Sequence, residues 1–211
     1  MSHEDIYQST QVTFFNVVTS SRDDRDTNAE PSYDEITKVP HYLDLRKYLQ
    51  PVRNQGVQGT SLACAAATIV EWYARKVDKS SILASPQYLY DNRNDPKTTL
   101  VSGRDTMEIL KDKGCCSEEL HAYGSTEAIS EEAKKDALKN KISSFAKVRT
   151  MDTLKKALMI NGPCVVCFPV YNHTTELWKQ HRNEQKLGGH AMAIVGYNKK
   201  GFILRNSWGQ Y

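Results

Sequence analysis

Ser61 is the residue whose sequence context best suits a nucleophile. It follows the glycine-containing loop 54–60 and opens the segment 61–76, in which apolar residues recur at helical spacing. A nucleophile at a helix N-terminus faces solvent, and the helix dipole stabilises a developing anion there by roughly 0.3–1 kcal/mol. The backbone N–H at this position and the side-chain amide of Gln55 could both donate to an oxyanion. The structural alternative is that Thr60 and Ser61 have no catalytic role and only begin an alanine-rich helix, with Thr60 as its N-cap.

Two further candidates, His190 and Asn206, become informative through their spacing from Ser61. Alone, a histidine at the start of an apolar strand is typical of a structural residue, and Asn206 is typical of a turn. The two glycines before His190 let a substrate or another backbone come close. His190 lies 129 residues after Ser61, and Asn206 lies 145 residues after it. Papain-type peptidases have a nucleophile, a histidine and an asparagine in this order, with the latter two about 130–150 residues after the first.

From about residue 39 to its end, the sequence resembles the papain family of cysteine peptidases. The segment 39–46 is similar to the family's mature N-terminus, and 51–56 is similar to its Pro-Val-x-Asn-Gln-Gly motif. Gly-Gly-His-Ala at 188–191 and Asn-Ser-Trp-Gly at 206–209 are similar to its His and Asn motifs. Segments similar to the compact versions found in bacteria and large DNA viruses are 85–90 and 114–120.

The resemblance implies a role for each of these positions. Ser61 occupies the nucleophile position, Gln55 is the oxyanion donor, and His190 is the base. Asn206 orients His190, and Trp208 packs over their hydrogen bond. The implied parent reaction is endopeptidase hydrolysis of a polypeptide substrate through an acyl-thioester, without a cofactor or a metal. The residues expected to line the substrate cleft are Gly103, Gly189, Ala191 and Trp208.

Ser61 itself departs from the family pattern, which has its catalytic cysteine at this position. A helix end and a protonated histidine lower a cysteine pKa to roughly 3.5–7.5, whereas a serine hydroxyl forms no such resting ion pair. We therefore expect the chain as written to be almost inactive. Cys64 is no substitute, because it lies about 300° around the helix from Ser61.

Two explanations of the serine remain open. One is an engineered Cys-to-Ser change that traps an inactive enzyme, which we favour because every supporting residue is in place. The other is a natural pseudopeptidase that acts as a peptide- or protein-binding module. An acyl- or peptidyl-transferring enzyme on the same scaffold is a further alternative to hydrolysis.

The elements that must position these residues differ between the two halves of the chain. A helical first half and a strand-rich second half predict an α+β protein with two lobes. The resemblance makes this a papain-like fold, with a helical lobe at about 39–140, an antiparallel β-barrel-like lobe at about 141–211, and the active-site cleft between them. The family continues past residue 211 with a final strand pair, so we expect the C-terminal end to be truncated. Helices are predicted at 61–76, 86–92, 103–113, 131–140 and 152–160, and strands at 142–149, 164–171, 190–197 and 202–206.

Residues 1–38 precede the family-like part and form an N-terminal extension. The segment 11–18 is rich in β-branched and aromatic residues and predicts a strand, and the polar segment 20–30 predicts an exposed connector. In one interpretation the strand pairs with the β lobe. In the other, residues 1–38 are a pro-segment that lies in or near the cleft and inhibits the enzyme, since extended peptides bind such clefts through backbone hydrogen bonds.

Composition argues against several other classes of protein. The 211 residues carry a formal net charge of +3 with scattered basic residues, which argues against nucleic-acid binding. No apolar run approaches the roughly 18 residues of a membrane helix, and no secretory signal is visible, so we expect a cytoplasmic protein without a membrane partner. The five cysteines are expected to be mostly reduced. Cys164 and Cys167 form a C-x-x-C with no second pair to complete a zinc site, and their apolar neighbours predict a buried strand.

Overall fold

Helices dominate the first half of the chain and a sheet dominates the second, which confirms the predicted α+β class. The computed structural model describes residues 15–18, 20, 23, 26–174 and 176–210. The helices are α1 (Ser61–Lys76), α2 (Pro86–Asp91), α3 (Gly103–Asp112), α4 (Glu131–Ala137) and α5 (Met151–Asn161), with 3₁₀ turns at Glu30–Tyr33, Arg46–Tyr48 and Leu138–Asn140. The strands are β1 (Val17–Val18), β2 (Leu43–Asp44), β3 (Val101–Ser102), β4 (Cys164–Val170), β5 (Gly188–Asn198) and β6 (Gly201–Arg205). Over these ranges, no helix combines the length and the apolar character needed to span a bilayer.

Helix α1 lies between the two lobes because it is apolar on nearly every side. Leu62, Ala66 and Val70 are buried in the core of the helical lobe. Ala65 instead packs against Ala193 of the β lobe. A helix that is apolar all round is expected to be buried, and its alanines let the neighbouring elements approach closely. The N-terminus of α1 is thereby fixed at the junction of the lobes.

Four of the helices begin with a hydroxyl side chain that accepts a hydrogen bond from the backbone N–H three residues further on. These N-caps are Ser85 for α2, Ser102 for α3, Ser130 for α4 and Thr150 for α5. Because such caps fix the first turn, all four helices begin within one residue of the predicted start. Thr60 stands at the predicted N-cap position of α1, but its side chain makes no capping bond to this helix.

The β lobe is built on β5, which pairs antiparallel with three other strands. β4 pairs with the first part of β5, whereas β6 and β2 pair with the later part. At Gly196 the pairing shifts in a bulge with φ +154°, and a Cβ there would overlap the carbonyl oxygen of Leu43. Within the described part of the chain the sheet is open, so the predicted barrel-like closure is not formed.

The predicted strand at 142–149 is wrong. Of its residues only Lys147 forms a β-bridge, to Asn28 of the N-terminal extension. The large apolar residues of this segment are Ile142, Phe145 and Val148, so they recur every third residue. A strand has a period of two and cannot place such a set on one buried face.

The other predicted helices and strands after residue 60 are confirmed, with ends that differ by at most two residues in all but one of them. The exception is the helix predicted at 131–140, whose α-helical part ends at Ala137 and which continues as the 3₁₀ turn Leu138–Asn140. The C-x-x-C strand β4 is half-buried rather than buried, and Cys167 is exposed. All five cysteines lie in the described ranges and are unpaired. Of the predicted strand 11–18, β1 covers Val17–Val18, and residues 11–14 lie outside the described residues.

Candidate active site

Ser61 is the first residue of α1 and is held between the two lobes. Its side chain is buried, and its Oγ accepts a hydrogen bond from the backbone N–H of Ala191 on β5 at 3.3 Å. The first N–H groups of a helix have no intrahelical acceptor, so the N–H of Ser61 is available to an oxyanion. The helix and the sheet together therefore fix both the hydroxyl and this backbone donor.

His190 and Asn206 meet because β5 and β6 are paired. Ala193 lies opposite Arg205, which places the residue after β6 beside His190. The Asn206 Oδ1 accepts hydrogen bonds from Nε2 of His190 at 2.8 Å and from the backbone N–H of Ser207 at 2.9 Å. Since this oxygen only accepts, Nε2 carries the ring proton and Nδ1 carries the lone pair. Nδ1 is buried and has no hydrogen-bond partner among the described residues.

Aromatic rings surround the imidazole and remove it from water. Trp208 stacks on His190 with ring centroids 5.0 Å apart, and the edge contact with Phe168 has a centroid distance of 5.7 Å. Burial lowers the pKa of His190, and the hydrogen bond with Asn206 only partly opposes this shift. The imidazole is therefore neutral at pH 7, which is the state that a general base requires.

Gln55 is held rigidly by Ser207, a residue to which the sequence analysis gave no role of its own. The Ser207 hydroxyl donates to Oε1 of Gln55 at 2.6 Å, and the backbone N–H of Gln55 donates to the carbonyl oxygen of Ser207 at 2.7 Å. These bonds orient the Gln55 amide so that Nε2 donates one proton to the carbonyl oxygen of Gln58 at 2.9 Å. The second Nε2 proton remains for an oxyanion. Ser207 lies within the Asn-Ser-Trp-Gly motif, which is the signal that points to it.

Residues 15–18 of the N-terminal extension lie in the cleft between the lobes. Gly189 on the β lobe donates its backbone N–H to the carbonyl oxygen of Phe15 at 3.3 Å. Val101 on the helical lobe donates to the carbonyl oxygen of Asn16 at 3.2 Å, and Val17 pairs with Val101 in parallel register. The segment therefore bonds to both walls of the cleft, and the predicted pairing with the β lobe accounts for only one of them.

The segment also comes close to the catalytic positions themselves. The ring of Phe15 makes an edge contact with His190, with centroids 6.1 Å apart. A Cβ at Gly189 would overlap the carbonyl oxygen of Val17, and one at Gly59 would overlap the side chain of Asn16. A Cβ at Gly188 would likewise overlap the carbonyl oxygen of Phe15, so the two glycines before the histidine let an extended backbone lie directly against the site, as expected.

An ion pair ties the segment to the start of α3. The Asp26 carboxylate accepts two hydrogen bonds from the Arg104 guanidinium, at 2.6 and 2.9 Å. The backbone N–H of Arg104 donates to the Ser20 hydroxyl at 3.2 Å. The hydrogen bonds from Arg104 hold the pKa of Asp26 below its usual value. This pair lies on the helical lobe, immediately after β3.

Residues 27–36 form a second contact, on the β lobe and away from His190. Ala29 and Tyr33 are buried against Ala157 of α5. The Tyr33 hydroxyl accepts a hydrogen bond from the side-chain amide of Asn161 at 2.8 Å. Lys147 donates its backbone N–H to Thr27 and accepts one from Ala29. The extension therefore has a part in the cleft and a part packed on the lobe behind it.

The remaining residues expected in the cleft lie near these contacts. Gly103 begins α3, and a Cβ there would lie 3.7 Å from the Sγ of Cys167, an exposed thiol that the sequence analysis did not connect with the cleft. Ala191 is buried against Ser61. Cys64 is buried at a small internal cavity that Ser61, Ala191 and Asn206 also line, and this burial raises the pKa of its thiol to about 11. The structure thus brings Ala191 and Trp208 into contact with Ser61 and His190, with Gly189 next to His190, and places Gly103 near Cys167 of the β lobe, whereas Cys64 is buried.

Comparison with known proteins gives a family match over most of the chain. The family model described as "Papain family cysteine protease" matches residues 39–211. An uncharacterized peptidase C1-like protein of Acanthamoeba polyphaga mimivirus is 28% identical over 200 residues, which cover 79% of this chain and 64% of that protein. The chain thus spans about two thirds of the length of this curated relative.

Two solved structures show the same overall fold. Xylellain, a cysteine protease from Xylella fastidiosa, superposes with a TM-score of 0.79 at 27% identity, covering 93% of this chain and 85% of that chain. Procathepsin B from Trypanosoma congolense superposes with a TM-score of 0.74 at 17% identity, covering 92% of this chain and 76% of that chain. At the lower identity the likeness concerns the fold alone.

Proposed function

Because the chain belongs to the papain family of cysteine proteases, we propose that its parent activity is hydrolysis of internal peptide bonds by a cysteine at position 61, and that the form with Ser61 is inactive. The observation that carries this proposal is the 2.8 Å hydrogen bond between His190 and Asn206. It leaves the second imidazole nitrogen buried and available as a base, and the next residue, Ala191, is bonded to Ser61 at the start of α1. Gln55, held by Ser207, supplies the oxyanion donor.

In the proposed reaction the thiol at position 61 transfers its proton to Nδ1 of His190, and the thiolate attacks the carbonyl carbon of the substrate. The carbonyl π electrons move onto oxygen, and this oxyanion accepts hydrogen bonds from the backbone N–H of position 61 and from Nε2 of Gln55. Collapse of the intermediate expels the amine, which takes the proton from His190 and leaves an acyl-thioester. Water, deprotonated by His190, then hydrolyses the thioester and restores the thiol.

The side chain at position 61 decides whether this site can work. A thiolate beside His190 stabilises the imidazolium and raises its pKa, so a cysteine pairs with the histidine before substrate arrives. A serine hydroxyl stays protonated and leaves burial as the dominant influence on the imidazole, whose pKa is lowered. The supporting residues therefore favour catalysis, and the missing thiol prevents it.

A second candidate function is peptide or protein binding without turnover. Two observations favour it: Ser61 lacks the nucleophilic thiol, and the cleft already holds an extended segment of this chain. In this alternative the same cleft binds a partner segment through backbone hydrogen bonds. Restoring the thiol distinguishes the two candidates.

The experiment that tests the proposed function introduces Ser61→Cys and offers the protein a peptide library and a thiol-directed epoxide. We expect peptide cleavage and labelling at position 61, and we expect both to be lost when His190→Ala is added. A folded Ser61→Cys protein that binds peptides but neither cleaves them nor reacts with the epoxide contradicts the peptidase and supports the binding module. Product analysis with added amine acceptors separates hydrolysis from transfer.

Autoinhibition by the N-terminal extension belongs to the same proposal. The support is that Phe15 contacts the catalytic imidazole and that backbone bonds from both cleft walls end on the segment. A tethered segment has an effective concentration of about 1 mM, so weak contacts suffice to keep it in place. A synthetic peptide of residues 11–26 is expected to inhibit the activated enzyme competitively, and a peptide with no effect at millimolar concentration contradicts the idea.

A further inference from the structure

The hydroxyl of Tyr123 lies between the two ends of the loop that carries the oxyanion donors. It donates to the carbonyl oxygen of Gln55 at 2.9 Å and lies 2.5 Å from the Thr60 Oγ1. A tyrosine hydroxyl has only one proton, which is used on Gln55, so the Thr60 hydroxyl must be the donor in the second bond. One oxygen therefore connects residue 55 to residue 60, the residue before α1.

This connection explains why Thr60 does not cap the helix that it precedes. Thr60 stands at the N-cap position of α1, yet its side chain makes no capping bond. A hydroxyl residue at this position usually accepts a hydrogen bond from the first turn of its helix, and here the Thr60 hydroxyl is bonded to Tyr123 instead. Burial raises the pKa of Tyr123 to about 12, so its hydroxyl keeps its proton at neutral pH.

We infer that Tyr123 is a positioning residue for the oxyanion site: its hydroxyl fixes Gln55 relative to the first turn of α1, so that two donors converge on one oxygen. The inference deepens the proposed function and rests on it. The donors are Nε2 of Gln55, whose other proton goes to Gln58, and the backbone N–H of residue 61. Tyr123 acts on them only through the loop, because its described hydrogen bonds are to Gln55 and Thr60.

Removal of the Tyr123 hydroxyl is expected to weaken oxyanion stabilisation without changing the reactivity of the thiol at position 61. Tyr123→Phe leaves the buried hydroxyl of Thr60 without this acceptor, and it leaves the carbonyl of Gln55 with only the long bond from the backbone N–H of Gln58, at 3.3 Å. The loop is expected to relax in order to satisfy these groups. Loss of one oxyanion donor costs about 100- to 1000-fold in kcat, so a displaced donor is expected to cost about 10- to 100-fold. Thiol reactivity depends on His190 and the helix end, which the substitution does not touch.

The kinetic test compares Ser61→Cys with the double variant that also carries Tyr123→Phe. The readouts are kcat/KM on a peptide, affinity for a peptide aldehyde that forms a tetrahedral adduct, and the rate of alkylation by iodoacetamide. We expect kcat/KM and aldehyde affinity to fall about 10- to 100-fold at an unchanged alkylation rate. The N-terminal segment is the same in both proteins, so its occupancy cancels in these ratios.

The matched control is Tyr197→Phe, which removes another buried hydroxyl. That hydroxyl donates to the carbonyl oxygen of Pro40 at 2.8 Å, at the other end of β5. This variant is expected to leave all three kinetic ratios unchanged. If Tyr123→Phe does not fold, Thr60→Val removes the hydrogen bond between Thr60 and Tyr123 and keeps the tyrosine. This variant is expected to lose kcat/KM and aldehyde affinity by smaller factors, again at an unchanged alkylation rate.

A readout that needs no activity keeps this inference separate from the proposed function. In the chain with Ser61, Tyr123→Phe is expected to shift the NMR signals of the Gln55 side-chain amide and the residue 61 backbone amide, while Tyr197→Phe leaves them in place. The role of Tyr123 is overturned if Tyr123→Phe leaves these NMR signals unchanged. It is also overturned if the kinetic test shows no loss of kcat/KM, or if aldehyde affinity and the alkylation rate fall equally. An inactive Ser61→Cys protein with shifted amides contradicts the proposed function alone.

Discussion

In the described part of the N-terminal extension, residues 15–18 lie in the cleft, Ser20 and Asp26 bond to Arg104, and residues 27–36 pack on the β lobe. We therefore predict different consequences for two deletions in the Ser61→Cys background. Deletion of residues 1–26 opens the cleft and leaves the packed part in place. Deletion of residues 1–38 opens the cleft as well, but it also removes a buried cluster that includes Tyr33.

The stability difference between the two deletions follows from that cluster. Tyr33 is 8% exposed, and its hydroxyl is bonded to Asn161. Truncation of a buried aromatic side chain costs about 3–5 kcal/mol, against a total unfolding free energy of about 5–15 kcal/mol for a domain. For a chain of this size each kcal/mol moves the melting temperature by about 2–4 °C, so the longer deletion is expected to melt roughly 6–20 °C lower.

The activity difference follows from tethering. If the free segment binds the cleft with a Kd of about 10 µM and its effective concentration is about 1 mM, it is docked in about 99% of molecules. Deletion of residues 1–26 is then expected to raise turnover by about 100-fold. The longer deletion is expected to reach a similar rate at low temperature, where it is still folded.

The assay combines hydrolysis of a fluorogenic peptide with thermal unfolding followed by circular dichroism. Tyr33→Ala in the full-length chain serves as the control, because it weakens the packed part while the cleft segment stays attached. Its melting temperature should fall without a gain in turnover. The division of the extension is refuted if deletion of residues 1–26 gives no gain in turnover, or if both deletions melt at the same temperature.

Three further predictions concern ionisable groups near the cleft. A Ser61→Cys thiol should be alkylated below pH 7, whereas Cys64, with a pKa raised to about 11 by burial, should stay unmodified; equal labelling contradicts the assignment. Hydrogen bonds from the Arg104 guanidinium lower the pKa of the Asp26 carboxyl. The ion pair therefore stabilises the docked N-terminal segment fully above pH 3.8, and this stabilisation is lost as the pH falls through the lowered pKa. Asp26→Asn should therefore speed amide exchange at Gly189 at pH 7, but not once the pH has fallen below the lowered pKa of Asp26. Deletion of residues 1–26 should raise the lowered pKa of His190 toward 6.5 by exposing its ring to water, as measured by NMR titration.

Sequence reasoning located the elements whose signals are local. The helix Ser61–Lys76 is predicted to the residue, because its apolar spacing and the preceding glycine loop define both ends. The ordered motifs also predict that His190 and Asn206 meet, which the hydrogen bond between them shows. Ser207 and Tyr123 were not predicted, because their roles depend on hydrogen bonds between distant segments.

The incorrect predictions have the same cause as the missed residues, because contacts between distant segments decide the structure at these positions. The segment 142–149 is rich in apolar residues, but their spacing of three gives no strand face, and its bridge is to a residue more than 110 positions earlier. The sequence around Thr60 predicts that its hydroxyl caps the following helix, but in the structure this hydroxyl bonds to Tyr123 instead. The placement of the extension against both walls of the cleft likewise depends on pairing with Val101 and Gly189, which no local pattern specifies.

The central claim is that this site is a cysteine-peptidase site that lacks only its thiol. The most direct measurement is intact-protein mass spectrometry of Ser61→Cys, with residues 1–26 deleted, during reaction with an activated peptide ester. The account predicts a single acyl group on position 61 that forms, turns over and is abolished by His190→Ala. A folded protein that binds the ester and is never acylated contradicts it.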